Sequence, residues 1–465
     1  MNENPVQGEF FTSASDLPER LVRESIQNSL DAARSNRDGE REVVRVRFAF
    51  SGNDHALAPE DAAPYLAGLS KHLDAVNLSP PSGSMPYLLV EDFGTTSLQG
   101  DIGANGGIEK GNDFWGFFRS VGISPKPEDS GGSWGLGKWV FPDASQLNAV
   151  VGVTLRQGES HALLMGQAAL DTHSIEHDGQ AIKYPPYGWF AESSGDFDHE
   201  WTPMPVQDSR IIDEAAKHFL LRREQEPGLS VIIPCPSPEL GPQDIVRKVV
   251  TQYFYAIVSG ALVVDVEHPD VPTVIVDDES IDDVVAGLGS SEREEENPDA
   301  MRKVVRLART ANAFDSSQLT RAMASERSDR LLEQLDLDEL RLQFMKGLPV
   351  GFELATRVAD KNGKRSEASF RMFVERDQDL KSGHDYFVRG NLQIPTMDHI
   401  QSYRARALVL VDGKSPLGHL LRDAEGPAHV KWDPHAKRLK ERWSGGYARV
   451  QEVRRAAPII LQALV

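Results

Sequence analysis

Glu24, Asn28 and Asp31 stand at i, i+4 and i+7 in the segment Glu24-Ser25-Ile26-Gln27-Asn28-Ser29-Leu30-Asp31-Ala32. On a helix that spacing puts all three on one face. A carboxylate there can orient and deprotonate a water. One turn on, an amide oxygen can ligate Mg²⁺, a hard ion that takes oxygen ligands and keeps waters. A polar helix face alone also accounts for Glu24 and Asn28.

Two further segments add chemistry. In Leu88-Leu89-Val90-Glu91-Asp92-Phe93-Gly94 an apolar strand delivers Asp92 to a turn. A buried carboxylate at that point can accept the amino proton of an adenine. Gly94 allows close backbone approach to a flat ring. An ordinary strand-turn aspartate is the plainer reading. In Gly131-Gly132-Ser133-Trp134-Gly135-Leu136-Gly137-Lys138 the glycines at 132, 135 and 137 let backbone N–H groups face phosphate oxygens. Lys138 either touches a phosphate or is a solvated lysine. The segment is not a Walker A loop, since Gly-x-x-x-x-Gly-Lys-Ser/Thr is not matched. Asp-Phe-Gly also occurs in protein kinases, but no His-Arg-Asp precedes it here and the glycine-rich segment follows it.

Taken in order, Glu-x-x-x-Asn-Ser-x-Asp-Ala, Asp-x-Gly and Gly-x-x-Gly-x-Gly resemble the ATP site of the GHKL, or Bergerat-fold, ATPases, in the style of the MutL, MORC and heat-shock-chaperone branch. The resemblance covers about residues 10–236. It implies that Glu24 is the general base and that Asn28 holds Mg²⁺. It implies that Asp92 binds adenine, and that Gly132, Gly135 and Gly137 belong to a lid closing over the phosphates. Asp31, Gly94 and Lys138 join the nucleotide set. Gly228-Leu229-Ser230-Val231 resembles the family's Gly-Thr-x-Val strand, which makes Ser230 a candidate for the adenine-side water; an ordinary strand hydroxyl explains it equally. Thr96 departs from the family, which often has glycine there.

These residues need elements to hold them. Residues 16–36 read as a helix, with Asp16 and Glu19 as a capping box and Pro18 in the first turn. Glu42–Phe50 alternates as a strand, and Pro86–Asp92 reads as a short buried one. Gly103–Gly137 is too long for a bland connector and is expected to form a functional loop with a short helix near Trp115–Phe118. Strands are expected at 147–155, 161–170 and 228–234, with Pro185, Pro186, Pro203 and Pro205 marking an inserted surface loop. The fold class expected is α+β. A Bergerat sandwich of mixed, mainly antiparallel sheet backed by helices spans 16–236, after an arm at 1–15 and with a lid near 101–138. A second α+β, transducer-like domain follows at 237–465. It carries an acidic stretch at 277–299, a helical region at 300–345, and a hairpin around Asn362-Gly363.

Bulk properties narrow the partners. The chain has 465 residues, enough for two or three cores, and a formal net charge of -20, which repels nucleic acid on average. One cysteine, Cys235, excludes an internal disulfide and a cysteine-based zinc site; it reads as core, and a reducing cytoplasm fits. No apolar run is long enough for a membrane span. The stretch 427–455 mixes basic residues with Trp432, Trp443 and Tyr447; this pattern either tracks a nucleic-acid backbone or packs against acidic or partner surfaces. The resemblance further implies an ATP-dependent homodimer and slow hydrolysis working as a switch. It also implies a basic side chain sent to the γ-phosphate from the second domain, with Arg389, Lys361, Lys364 and Lys381 as candidates. The ending Ala428-His429-x-x-Trp432 and the overall layout resemble bacterial ATPases found beside restriction or phage-defence genes, which implies a role beside partner proteins, as in phage defence or DNA transactions. A nucleotide sensor or scaffold without turnover is the alternative, and a histidine kinase the third.

Overall fold

The computed structural model describes residues 16–36, 38–104, 111–120, 137–194, 202–394, 399–426 and 431–465. The arm at 1–15, Gly132 and Gly135 lie outside these residues. The chain is mixed α+β and divides into two compact units, Met1–Val249 with Ala261–Asp277, and Val250–Gly260 with Asp278–Val465.

The first unit is built on an eight-stranded sheet. Its strands are β1 (Val44–Phe50), β2 (Tyr87–Phe93), β3 (Ala149–Leu155), β4 (Leu163–Ala169), β7 (Tyr187–Phe190), β10 (Gly228–Pro234), β11 (Leu262–His268) and β12 (Val271–Val276). Their order is β12-β11-β1-β2-β10-β3-β4-β7, antiparallel except where β1 and β11 run parallel. Two small hairpins, β5–β6 (His173–His177, Gln180–Tyr184) and β8–β9 (Glu192–Ser194, Thr202–Met204), stand apart from it. The sequence reading closes this unit at 236. The sheet instead continues to Val276, because β11 reaches back across about 200 residues of chain to pair with β1. Likewise the proline-bearing stretch expected as an inserted loop supplies β7, an edge strand of the same sheet.

Strand alternation gives the sheet two distinct faces. Helix α1 (Leu17–Asp31) lies on one, with Leu21, Val22 and Ile26 fully buried. Its N-terminus is capped by Asp16, which accepts from the Glu19 amide at 2.9 Å, with Pro18 in the first turn. The Glu19 side chain faces Lys248 at 3.7 Å. The helix stops at Asp31, short of the expected residue 36, because Ala33 and Ser35 enter isolated bridges with Thr95 and Arg41. The other face packs Tyr87, Leu89, Val151 and Ile232 against helices α2 (Pro59–Leu66), α3 (Ser70–Ala75) and α6 (Ser209–His218) through Ala62, Leu73, Ile212 and Ala215. Cys235 belongs to this core, and burial pushes its thiol up to about 11. Helices α4 (Asp113–Phe118) and α5 (Val140–Asp143) flank the glycine-bearing segment; α4 matches the short helix expected there.

Helix α7 (Pro242–Val258) carries the chain across the division between units. The second unit has a seven-stranded sheet: β13 (Thr320–Met323), β14 (Val350–Asp360), β15 (Arg365–Arg376), β18 (Ala405–Val411), β16 (His384–Arg389) and β17 (Leu392–Ile394) in that order, with β19 (Trp443–Ser444) on β14. The hairpin expected at Asn362-Gly363 is β14–β15, and Gly363 takes the positive φ of +86° that such a turn favours. The acidic stretch becomes α8 (Ile281–Gly287) and a short 3₁₀ turn. The region read as helical contains α9 (Pro298–Ala313), α10 (Ser328–Leu332), α11 (Leu337–Met345) and strand β13. Helices α12 (Pro416–Asp423), α13 (Lys437–Arg442) and α14 (Gly446–Leu464) complete the unit.

Candidate functional site

Glu24, Asn28, Asp92 and Gly137, four of the residues that carry the sequence argument, meet on the α1 face of the first sheet. Asn28 donates its amide nitrogen to Glu24 Oε1 at 2.8 Å, so the two share one helix face and the amide steers the carboxylate. A side chain at Gly137 would collide with that carboxyl group, which places the described end of the glycine segment directly against Glu24. Asp31 lies further along the helix and is half-buried.

Asp92 is the penultimate residue of β2, beneath the same helix. Its Oδ1 accepts from the Thr95 hydroxyl and the Leu229 amide, both at 2.8 Å, and its Oδ2 accepts from Ser29 Oγ at 3.2 Å. Ser29 therefore ties α1 to the strand end. Burial is the largest influence on Asp92 and raises its pKa. The Arg223 charge and the Leu229, Thr95 and Ser29 hydrogen bonds pull it down without cancelling that effect. Backbone packing here is close enough to demand glycine twice. A side chain at Gly94, whose φ is +76°, would strike the Val43 carbonyl; one at Gly228, φ +154°, would strike the Asp92 carbonyl and Arg223. Gly94 thus serves a contact between backbones of neighbouring segments.

Ser230 is turned away. It sits on the opposite face from Asp92, fully buried, and donates to Glu91 Oε1 at 2.8 Å. Residue 229 is the one whose amide reaches Asp92, because strand alternation sends 229 and 230 to opposite sides. Lys138 is neither solvated nor extended toward Glu24. It is buried, and its Nζ donates to the carbonyls of Gly116 at 2.7 Å, Phe117 at 2.8 Å and Ser120. These are the orphan acceptors at the end of α4, so Lys138 caps that helix. Burial lowers its pKa to about 7.

Several residues that no motif flagged complete the neighbourhood. Arg223 donates to the Asp92 carbonyl at 2.6 Å and to Ser230 Oγ at 3.1 Å, and lies over the Phe93 ring at 4.9 Å. Glu91 accepts from Arg47 at 2.7 Å, and Arg47 also holds Glu267 at 2.9 Å. Only the register of the sheet brings these together; an arginine between helix and strand carries no local signal.

In the second unit, Arg389 is held by both oxygens of Glu425, with Nη2 at 2.8 Å from Oε2. Trp432 donates its indole N–H to the same carboxylate at 2.9 Å. Lys361, Lys364 and Lys381 are exposed. The basic stretch near the C-terminus is largely paired within its own unit: Arg442 and Trp443 reach Asp423, and Arg449 reaches Glu452 at 2.7 Å. With Trp432 buried, that residue is no stacking platform for bases. Among the described residues no cluster of three His, Cys, Asp or Glu side chains has metal-holding geometry. No helix there is long and apolar enough to cross a membrane. No family model matches the chain, and no curated protein matches it.

Proposed function

We propose that the first unit binds Mg-ATP on the α1 face of its sheet and hydrolyses it slowly, as a switch of the GHKL type. The observation that carries this reading is the convergence of Glu24, Asn28, Asp92 and Gly137, drawn from three separated stretches of sequence, onto one face. The donor set suits the ion: an amide and a carboxylate offer hard oxygen atoms. Asn28 is occupied with Glu24 through its nitrogen, so the oxygen is the atom that would hold Mg²⁺. Bound there, Mg²⁺ would neutralise charge on the phosphates.

In this reading Glu24 takes the proton of the attacking water, and the Asn28 hydrogen bond keeps its carboxylate aimed. Asp92 accepts from the adenine amino group. Its ground is that Thr95, Ser29 and the Leu229 amide fix both oxygens in place with neutral donors. Gly137 keeps the space beside Glu24 clear. ATP-dependent closure, dimerisation and service to partner proteins remain part of the same proposal. Glu24→Ala tests the catalytic step. General-base loss is expected to lower steady-state ATP turnover by about 10²- to 10⁴-fold, with Mg-ATP affinity retained. Equal turnover in the two proteins removes Glu24 as the base. Tight binding with no Mg²⁺-dependent turnover in the wild type favours a nucleotide sensor instead.

A further inference from the structure

The second face of the first sheet holds a cavity that the nucleotide chemistry does not use. Its volume is about 420 Å³, within the range of about 300–1,000 Å³ typical of small-molecule sites. It lies between β3, β4 and β10 on one side and the α2–α3 segment and the β5–β6 hairpin on the other. Leu69, Met85, Val151, Phe190, Phe219 and Ile232 are among the residues that line it. No Lys, Arg, Asp or Glu is among its lining residues, so a nucleotide or other multiply charged ligand would lose its hydration there without compensation.

The polar groups of the lining include a fixed pair of imidazoles. His173 Nδ1 lies 2.8 Å from the Asp171 carbonyl, and His173 Nε2 lies 2.7 Å from His72 Nδ1. A carbonyl only accepts, so His173 carries its proton on Nδ1. Its Nε2 then accepts from His72 Nδ1–H, which makes His72 Nε2 the terminal acceptor of the chain. Burial, followed by the nearby His173, lowers the His72 pKa, in keeping with a neutral ring. Tyr184 holds both rings in orientation, edge-on to His72 with centroids 4.7 Å apart and stacked on His173 at 5.8 Å.

We propose that this cavity is a binding site for an uncharged, mainly apolar small molecule that donates one hydrogen bond to His72. The site lies beyond the nucleotide reading and does not depend on it.

N-phenyl-1-naphthylamine, an uncharged apolar fluorophore with a single N–H, is the probe for the full chain. Gly188 gives a clean way to block the cavity. It pairs with Ala168 across β4–β7, lies on the same face as Phe190, and an added Cβ would meet no atom within 4 Å. The Cβ of Gly188→Phe therefore meets no neighbour and starts on the side of the strand that borders the cavity. The wild type is expected to take up one equivalent saturably. Gly188→Phe should bind at least about tenfold more weakly and His72→Ala about five- to tenfold more weakly, the effect of one buried hydrogen bond. Melting curves identify a variant that fails to fold, in which case the other variant decides. No saturable uptake by the wild type, or unchanged affinity in a folded Gly188→Phe or His72→Ala protein, overturns the proposal.

Discussion

Asp92 and Glu91 are neighbours on one strand, both buried, and alternation sends them to opposite faces of the sheet with opposite company. Glu91 meets charge: Arg47 at 2.7 Å, itself shared with Glu267, plus the Ser230 hydroxyl and the Arg222 amide. The Asp92 carboxyl meets mostly neutral donors, a backbone amide and two hydroxyls, with the Arg223 hydrogen bond going to its carbonyl. A carboxylate locked to arginine is committed to the fold. One held by neutral donors keeps its orientation while burial raises its proton affinity, and it retains reason to engage a further donor. On the proposed reading, that difference separates a structural face from the nucleotide-binding one.

The largest way to break the comparison is Glu91→Ala. It leaves Arg47 buried with only part of its compensation and should lower the unfolding free energy by about 3 kcal/mol, read from urea denaturation, while the Glu24–Asn28 pair is untouched. An effect on nucleotide affinity larger than that on stability would erase the distinction between faces. Asp92→Asn should act in the reverse sense. The folded pKa of Asp92 is raised, so its contribution to stability is complete below the ordinary carboxylate range and is lost as pH rises through the folded value. The asparagine variant, unable to ionise, should therefore gain on the wild type from about pH 4 upward. A variant that loses stability as pH rises contradicts the burial argument.

Paired serines give the smallest and sharpest contrast. Ser29→Ala and Ser230→Ala each remove a buried hydroxyl with two hydrogen-bond partners, Asp92 and the Ser25 carbonyl for Ser29, Glu91 and Arg223 for Ser230, and should each cost about 1–2 kcal/mol. Only Ser29, which touches Asp92, should also weaken Mg-ATP binding in titration calorimetry. Equal effects of the two variants on affinity would show that the faces do not differ in function.

How much of this the sequence carried depended on the range of the interaction. Helix α1 was legible because its cap, its first-turn proline and its apolar stripe are all local. The β14–β15 hairpin was legible for the same reason, through Asn362-Gly363. The spacing of Glu24 and Asn28 predicted a shared face, and the side chains are hydrogen-bonded to each other. The parallel pairing of β11 with β1 was not legible, since no local pattern encodes a partner so far away. Ser230 went to the wrong side because a one-residue choice within a fully apolar strand has no alternation to settle it. Lys138 looked like a phosphate ligand or a surface residue; the carbonyl ends of α4, which it caps, are formed only by tertiary packing. The cavity with His72 and His173 had no signature, as its walls come from seven separate segments.

The most direct measurement is titration calorimetry of Mg-ATP into the wild type and the Asp92→Asn variant. The account predicts one site per chain in the wild type and at least about tenfold weaker binding in the variant, the loss of one hydrogen bond to a charged acceptor, with an intact melting transition. Equal binding by the two proteins, or no binding by the wild type, contradicts it.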